Sequence, residues 1–83
     1  MAAPRTDTVT DIDARGLRCP LPVLKMEAAL RRLPPGARLR ITADDPVATV
    51  DIPHFAAEGG YACEKVEAGD GLCVFLVTRG EKP

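Results

Sequence analysis

Residues 37–46, ARLRITADDP, decide the fold of this 83-residue chain. Leu39, Ile41 and Ala43 alternate with polar side chains, which is the period of a strand that buries one face. Two acidic residues and a proline follow at once, and this combination is typical of a helix start. The stretch therefore predicts a strand that leads directly into a helix.

Two elements are predicted before this strand. Residues 8–14, TVTDIDA, are rich in β-tolerant side chains and predict a first strand. A helix is predicted from Pro20 to the Pro-Pro-Gly stop at residues 34–36. Pro20 and Pro22 fall in its first turn, where backbone N–H groups have no intrahelical partner. Its apolar face consists of Val23, Met26, Leu30 and Leu33.

The second helix carries two start signals. Asp44 and Asp45 are predicted to cap it, with Pro46 at the first helical position. Pro53 lies further inside the pattern, so we expect a break there and a restart with Asp51 as a second N-cap. Asp44 and Asp45 could also form a catalytic pair of carboxylates, but capping explains them more simply.

The double glycine at residues 59–60 ends this helix. Residues 62–68 and 72–79 are β-rich and are separated by Gly-Asp-Gly, which predicts an antiparallel hairpin. The order β-α-β-α-β-β predicts an α/β two-layer sandwich, in which a four-stranded mixed sheet carries two helices on one face.

A single domain is expected over residues 9–79. Residues 1–8 are interpreted as a disordered lead-in, and residues 80–83 as a frayed tail.

Composition excludes several function classes. The 11 basic and 12 acidic residues nearly balance, and no long basic run occurs, so direct nucleic-acid binding is not expected. We find no apolar stretch of about 20 residues for a bilayer and no apolar segment typical of a secretory signal. We therefore predict a cytoplasmic protein, and we expect it to be a monomer.

The chain has three cysteines and one histidine, which limits the thiol and metal chemistry that a site could perform. The cysteine number is odd and no C-x-x-C pair occurs, so reduced thiols are expected rather than a disulfide framework. Zinc-ligand spacing is missing from the sequence, and we predict neither a metal nor a cofactor.

Cys19 is the candidate reactive residue because it directly precedes the first helix. Backbone N–H groups and the helix dipole at such a position favour a thiolate. Arg18 adds a neighbouring cation, and the flanking prolines stiffen the turn. The alternative is a buried cysteine that serves only for packing, and the residues alone favour neither interpretation.

The segment at residues 16–22, GLRCPLP, resembles the Cys-Pro-x-Pro signature of the TusA/SirA/YedF family of sulfur carriers. The resemblance extends over residues 12–79. The positions that match the family pattern and are assigned structural roles are Gly16, Pro20, Pro22, Asp45, Pro46 and Asp51.

This resemblance implies a sulfurtransferase-type carrier rather than a small-molecule enzyme. Cys19 would accept a sulfane sulfur as a persulfide from a cysteine desulfurase or a rhodanese-like donor. It would then pass the sulfur to an acceptor protein, for instance toward tRNA thiolation. Arg18 and Lys25 are predicted to contact these partners.

Two departures from the family pattern leave the pathway open. Ala56 stands where members of the tRNA-thiolation branch often carry a cysteine, and Leu21 replaces an acidic residue that some members carry. Sulfur oxidation, molybdenum-cofactor supply and thiosulfate uptake therefore stay as alternatives to tRNA thiolation.

The other candidate side chains have simpler interpretations. Cys63 and Cys73 lie in the predicted hairpin and are expected to pack, although Cys63 could act as a resolving thiol if the fold brought it near Cys19. His54 is expected to be solvated. Two rival functions remain: a protein- or RNA-interaction domain with a structural Cys19, and a redox-sensing Cys19 that forms a sulfenic acid or a disulfide.

Overall fold

The computed structural model describes residues 9–80, apart from the side chain of Glu67. The predicted lead-in and the last three residues of the predicted tail lie outside the described residues. The elements are β1 (Val9–Ala14), α1 (Leu21–Arg31), β2 (Arg38–Ala43), α2 (Ala48–Gly59), β3 (Ala62–Gly69) and β4 (Leu72–Thr78). Their order is the predicted β-α-β-α-β-β.

The four strands form one mixed sheet in the order β1-β2-β4-β3. β1 runs parallel to β2, and β4 runs antiparallel to both of its neighbours. Ala14 pairs with Ala43, which in turn pairs with Cys73. The carboxyl ends of β1 and β2 therefore meet at one edge of the sheet, and each leads into its own helix there.

One face of the sheet is covered by both helices. Ile41 on β2 lies opposite Phe75 on β4, and both side chains are buried. Met26 from α1 and Ile52 from α2 belong to the same cluster. Burial thus follows the alternation of each strand, and the predicted two-layer sandwich with helices on one face is confirmed.

The first helix ends earlier than the Pro-Pro-Gly signal predicts. α1 stops at Arg31, while Leu33 lies beyond it and still packs against the core. The guanidinium of Arg79 donates hydrogen bonds to the carbonyl oxygens of Leu30 and Leu33. A cation from the end of β4 therefore satisfies the carbonyl groups that the helix terminus leaves free.

The second helix passes through Pro53 without a break, so the predicted restart is wrong, and so is the predicted N-cap role of Asp51. The ring of Pro53 removes one helical hydrogen bond. Ile52 and Ala56 lie one helical turn apart, and both are completely buried. Packing of this face against the sheet keeps the chain helical despite the proline.

The start of α2 also differs from the prediction. Its N-cap position is occupied by Val47, so Pro46 precedes the helix instead of beginning it. Asp45 accepts the N–H of Val47 through Oδ1 at 3.2 Å, whereas Asp44 binds the N–H of Gly16 at 2.9 Å. Asp44 therefore ties two loops together and does not cap the helix.

The remaining turns follow the sequence signals. α2 ends at a left-handed Gly60, whose φ is 78°. The β3–β4 connection contains Asp70 with a φ of 54° between two glycines, as the Gly-Asp-Gly signal predicts for a tight hairpin. No helix within residues 9–80 is long and apolar enough to cross a bilayer.

Candidate functional site

Cys19 lies in the connection between β1 and α1, and its side chain is exposed. Its Sγ donates a hydrogen bond to Oδ2 of Asp51, in the first turn of α2, at 2.6 Å. The interpretation of Cys19 as a buried packing residue is therefore wrong. The thiol is accessible from outside and lies where the starts of the two helices converge.

A buried carboxylate holds the backbone of this cysteine. Asp45 is only 6% exposed, and its Oδ2 accepts the N–H of Cys19 at 2.7 Å. Its other carboxylate oxygen binds Val47 at the start of α2. One side chain therefore joins the Cys19 loop to the second helix, which fixes the position of the sulfur relative to that helix.

A second carboxylate shapes the loop on the other side of Cys19. Gly16 has a φ of 85°, a conformation that strongly favours glycine, and donates its N–H to Oδ1 of Asp44. The guanidinium of Arg18 is 3.7 Å from the same oxygen. This cation is exposed and is engaged by Asp44, so its predicted role beside the sulfur stays a prediction.

The electrostatics of Cys19 contradict the predicted thiolate. The hydrogen bond to Asp51 raises the pKa of the Cys19 thiol, and loss of some surrounding water and the charges of Asp51 and Asp45 raise it further. These shifts favour the protonated thiol over the thiolate. The carboxylates favour the neutral form because they would repel an anion at the same place.

The helix start fails to offset this repulsion because it offers few free amides. Pro20 and Pro22 have no N–H to donate. The N–H of Leu21 is already bound to the carbonyl oxygen of Arg18 at 2.7 Å. The prolines that mark the helix start thus also remove donors that would otherwise stabilise a thiolate.

The other two cysteines lie on the helix-facing side of the sheet. Cys73 is 3% exposed, and Cys63 is half-buried against the core. Burial raises the pKa of both thiols. Cys63 pairs with Val77, four residues along β4 from the edge that carries Cys19, or about 13 Å at the usual strand rise. The packing interpretation is confirmed, and this register keeps Cys63 from acting as a resolving thiol for Cys19.

Two further candidates contact groups other than the thiol. Lys25 donates to the backbone oxygen of Asp13 at the end of β1, at 2.9 Å. His54 is exposed and lies 3.4 Å from Glu58 on the same helix. Within residues 9–80, no group of three or more His, Cys, Asp or Glu side chains could hold a metal ion.

Four exposed apolar side chains stand on the two helix starts beside Cys19. We call them the apolar collar: Leu21 and Leu24 from α1, and Val47 and Val50 from the beginning of α2. Each is 48% to 67% exposed. Several exposed large apolar groups at neighbouring helix starts are typical of contact surfaces.

Fold and site together define a small α/β domain that presents one accessible thiol between two helices. Residues 10–79 match the family model described as sulfurtransferase TusA. The chain belongs to this family, which confirms the resemblance found in the sequence.

A solved structure supports the same relationship. The SirA-like protein from Desulfitobacterium hafniense is 27% identical to this chain, with a TM-score of 0.76. The match covers 89% of this chain and all of the other.

The contact between Asp51 and Cys19 is the feature that sequence reasoning missed. Asp51 matches the family pattern, but Pro53 two residues later favours the interpretation of Asp51 as an N-cap. Its spacing of 32 residues from Cys19 gives no signal of proximity.

We predict that Asp45→Ala lowers the free energy of unfolding by about 2 kcal/mol or more, because two N–H groups lose a charged acceptor. Asp44→Ala is the matched control, since that carboxylate is more exposed and accepts one backbone N–H. Its loss should be about 1 kcal/mol or less. Urea unfolding measures both, and equal losses would contradict the central role of Asp45.

The raised pKa of Cys19 predicts how its alkylation depends on pH. The rate with iodoacetamide should rise through the neutral range and level off only above about 8.5, the ordinary pKa of a free cysteine. Asp51→Asn removes the charge that favours the protonated form, so the midpoint should fall and alkylation at pH 7 should be faster. Glu58→Gln on the same helix is the control and should leave the midpoint unchanged. A wild-type midpoint below that of free cysteine would contradict this electrostatic account.

Proposed function

We propose that this protein carries sulfane sulfur as a persulfide on Cys19. The observation that carries the proposal is the exposed thiol, held by Asp45 through its backbone and by Asp51 through its sulfur. A shallow, accessible sulfur suits exchange with a cysteine on another protein. Membership of the sulfurtransferase TusA family supports the same function.

The relay consists of two exchanges of the thiol–disulfide type. In the first, Sγ of Cys19 bonds to the terminal sulfur of a donor persulfide, and the donor cysteine leaves as a thiol. In the second, an acceptor cysteine takes that terminal sulfur, and Cys19 returns to the thiol. Both steps conserve electrons, so the relay needs neither an oxidant nor a cofactor.

The donor in this proposal is a cysteine desulfurase or a rhodanese-like protein, and the acceptor is another protein thiol. tRNA thiolation is one destination. Position 56, where relatives often have a cysteine, is an alanine that is fully buried in α2, so this relay has no second carrier thiol there. The alternative pathways named from the sequence remain compatible with the same chemistry.

The partner surface in this proposal is the apolar collar. A donor cysteine must come within bonding distance of the Cys19 sulfur, and the protein around it must then cover the neighbouring side chains. Burial of these side chains would contribute to donor affinity. Arg18 lies exposed on the same loop, 3.7 Å from Asp44, so an acidic group at the rim of that interface would compete with Asp44 for this cation.

Sulfur addition to Cys19 is the direct test of the carrier function. After incubation with a cysteine desulfurase and cysteine, intact mass should increase by one sulfur atom, and peptide mapping should place it on Cys19. Cys19→Ser should gain none, while Cys63→Ser should behave as wild type. A wild-type chain that gains no sulfur from several competent donors would instead favour an interaction domain, and a sulfenic acid or disulfide on Cys19 would favour redox sensing.

The collar predicts a loss of donor affinity without a change in thiol chemistry. Combined Leu24→Ala and Val50→Ala should raise the half-saturating donor concentration about tenfold, the equivalent of about 1.4 kcal/mol. Val66→Ala, at another valine that is more than half exposed, on β3, is the control. Alkylation of Cys19 by iodoacetamide should be the same in all three proteins. Unchanged half-saturation in the double variant would exclude the collar as the donor interface.

A further inference from the structure

The side chain of Asp51 has no helix-capping role that would account for its position. It lies in the first turn of α2, yet it caps no helix. Within the part of the chain that the structure describes, the hydrogen bond of its carboxylate is with Sγ of Cys19, at 2.6 Å. This contact places the carboxylate within reach of the thiol proton.

We propose that Asp51 is a catalytic residue that accepts the proton of the Cys19 thiol during sulfur loading. The proposal rests on the persulfide carrier function and assigns a role to a second side chain of the same site. It goes beyond that function because a carrier could equally use a thiolate formed in advance.

The loading step conserves atoms and charge. Sγ of Cys19 forms a bond to the terminal sulfur of the donor persulfide while its proton moves to Oδ2 of Asp51. The sulfur–sulfur bond of the donor breaks, and its electron pair stays on the donor cysteine. That sulfur takes the proton from Asp51, so the products are a Cys19 persulfide, a donor thiol and the original carboxylate. Unloading is the reverse exchange with an acceptor thiol.

The surroundings of Cys19 make such an acceptor necessary. Asp51 from α2 and Asp45 from the loop before it both disfavour a free thiolate. The nearby cation, Arg18, is paired with Asp44. A protonated sulfur is a poor nucleophile, so its proton must leave as the new bond forms. Acid–base catalysis by a positioned side chain typically accelerates such a step by about 10²–10⁴-fold.

Proton acceptance and simple electrostatic repulsion predict opposite results for Asp51→Asn. Iodoacetamide reacts with the fraction of Cys19 that is already a thiolate, so loss of the charge should speed alkylation at pH 7 in either case. If Asp51 accepts the proton, sulfur loading should nevertheless become slower, because the neutral amide cannot take it. If Asp51 only repels an anion, loading should become faster together with alkylation.

The experiment measures loading of the full chain by glutathione persulfide, with quenched samples analysed by intact mass, in parallel with alkylation. At pH 7, Asp51→Asn should load at least about tenfold more slowly than wild type. The defect should shrink as pH rises and solvent removes the thiol proton. Asp51→Glu, which keeps a carboxylate, should recover part of the rate. Glu58→Gln should match wild type in both assays.

Two results would overturn the assignment: loading by Asp51→Asn at or above the wild-type rate, or alkylation unchanged by that substitution. Urea unfolding of each variant guards against a loss that comes from misfolding, and Asp51→Glu serves as the second variant if Asp51→Asn is unstable. Failure of the wild-type chain itself to load would overturn the carrier function and this role with it. A defect confined to Asp51→Asn supports both, so the two failures are distinguishable.

Discussion

The site depends on one buried carboxylate, that of Asp45. A buried charged group is costly unless hydrogen bonds replace its water, and here the N–H groups of Cys19 and Val47 do so. Both bonds must form together, so the loop after β1 is held against the start of α2. This constraint brings the thiol of Cys19 to the carboxylate of Asp51, although the two residues are 32 positions apart.

Two opposing electrostatic effects act on the sulfur, and the carboxylates prevail. A helix start presents about half a positive charge, and this fades within the first turn. Asp51 carries a full negative charge in direct contact with the thiol, and Asp45 adds another nearby. Because oxidation and alkylation follow thiolate character, a protonated Cys19 is protected between transfers. Reactivity would then arise when a partner presents the sulfur to be exchanged.

Local signals predicted the elements well where they agreed with packing. The alternation in β2 and the glycines at the end of α2 gave correct positions because buried strand faces and left-handed turns depend on nearby residues. Pro53 does not break α2, because a local breaker signal takes no account of the sheet beneath the helix. Burial of Ile52 and Ala56 outweighs the one hydrogen bond that the proline removes.

The sequence by itself determined the element order, the family pattern and the location of Cys19 at a strand-to-helix junction. Each of these features depends on residues that are close together in the chain. Only the tertiary structure decided which groups surround the sulfur. The parallel pairing of Ala14 with Ala43 brings two loops to one edge of the sheet. That juxtaposition sets the protonation state of Cys19, since the charge of a group from another helix outweighs the dipole of its own.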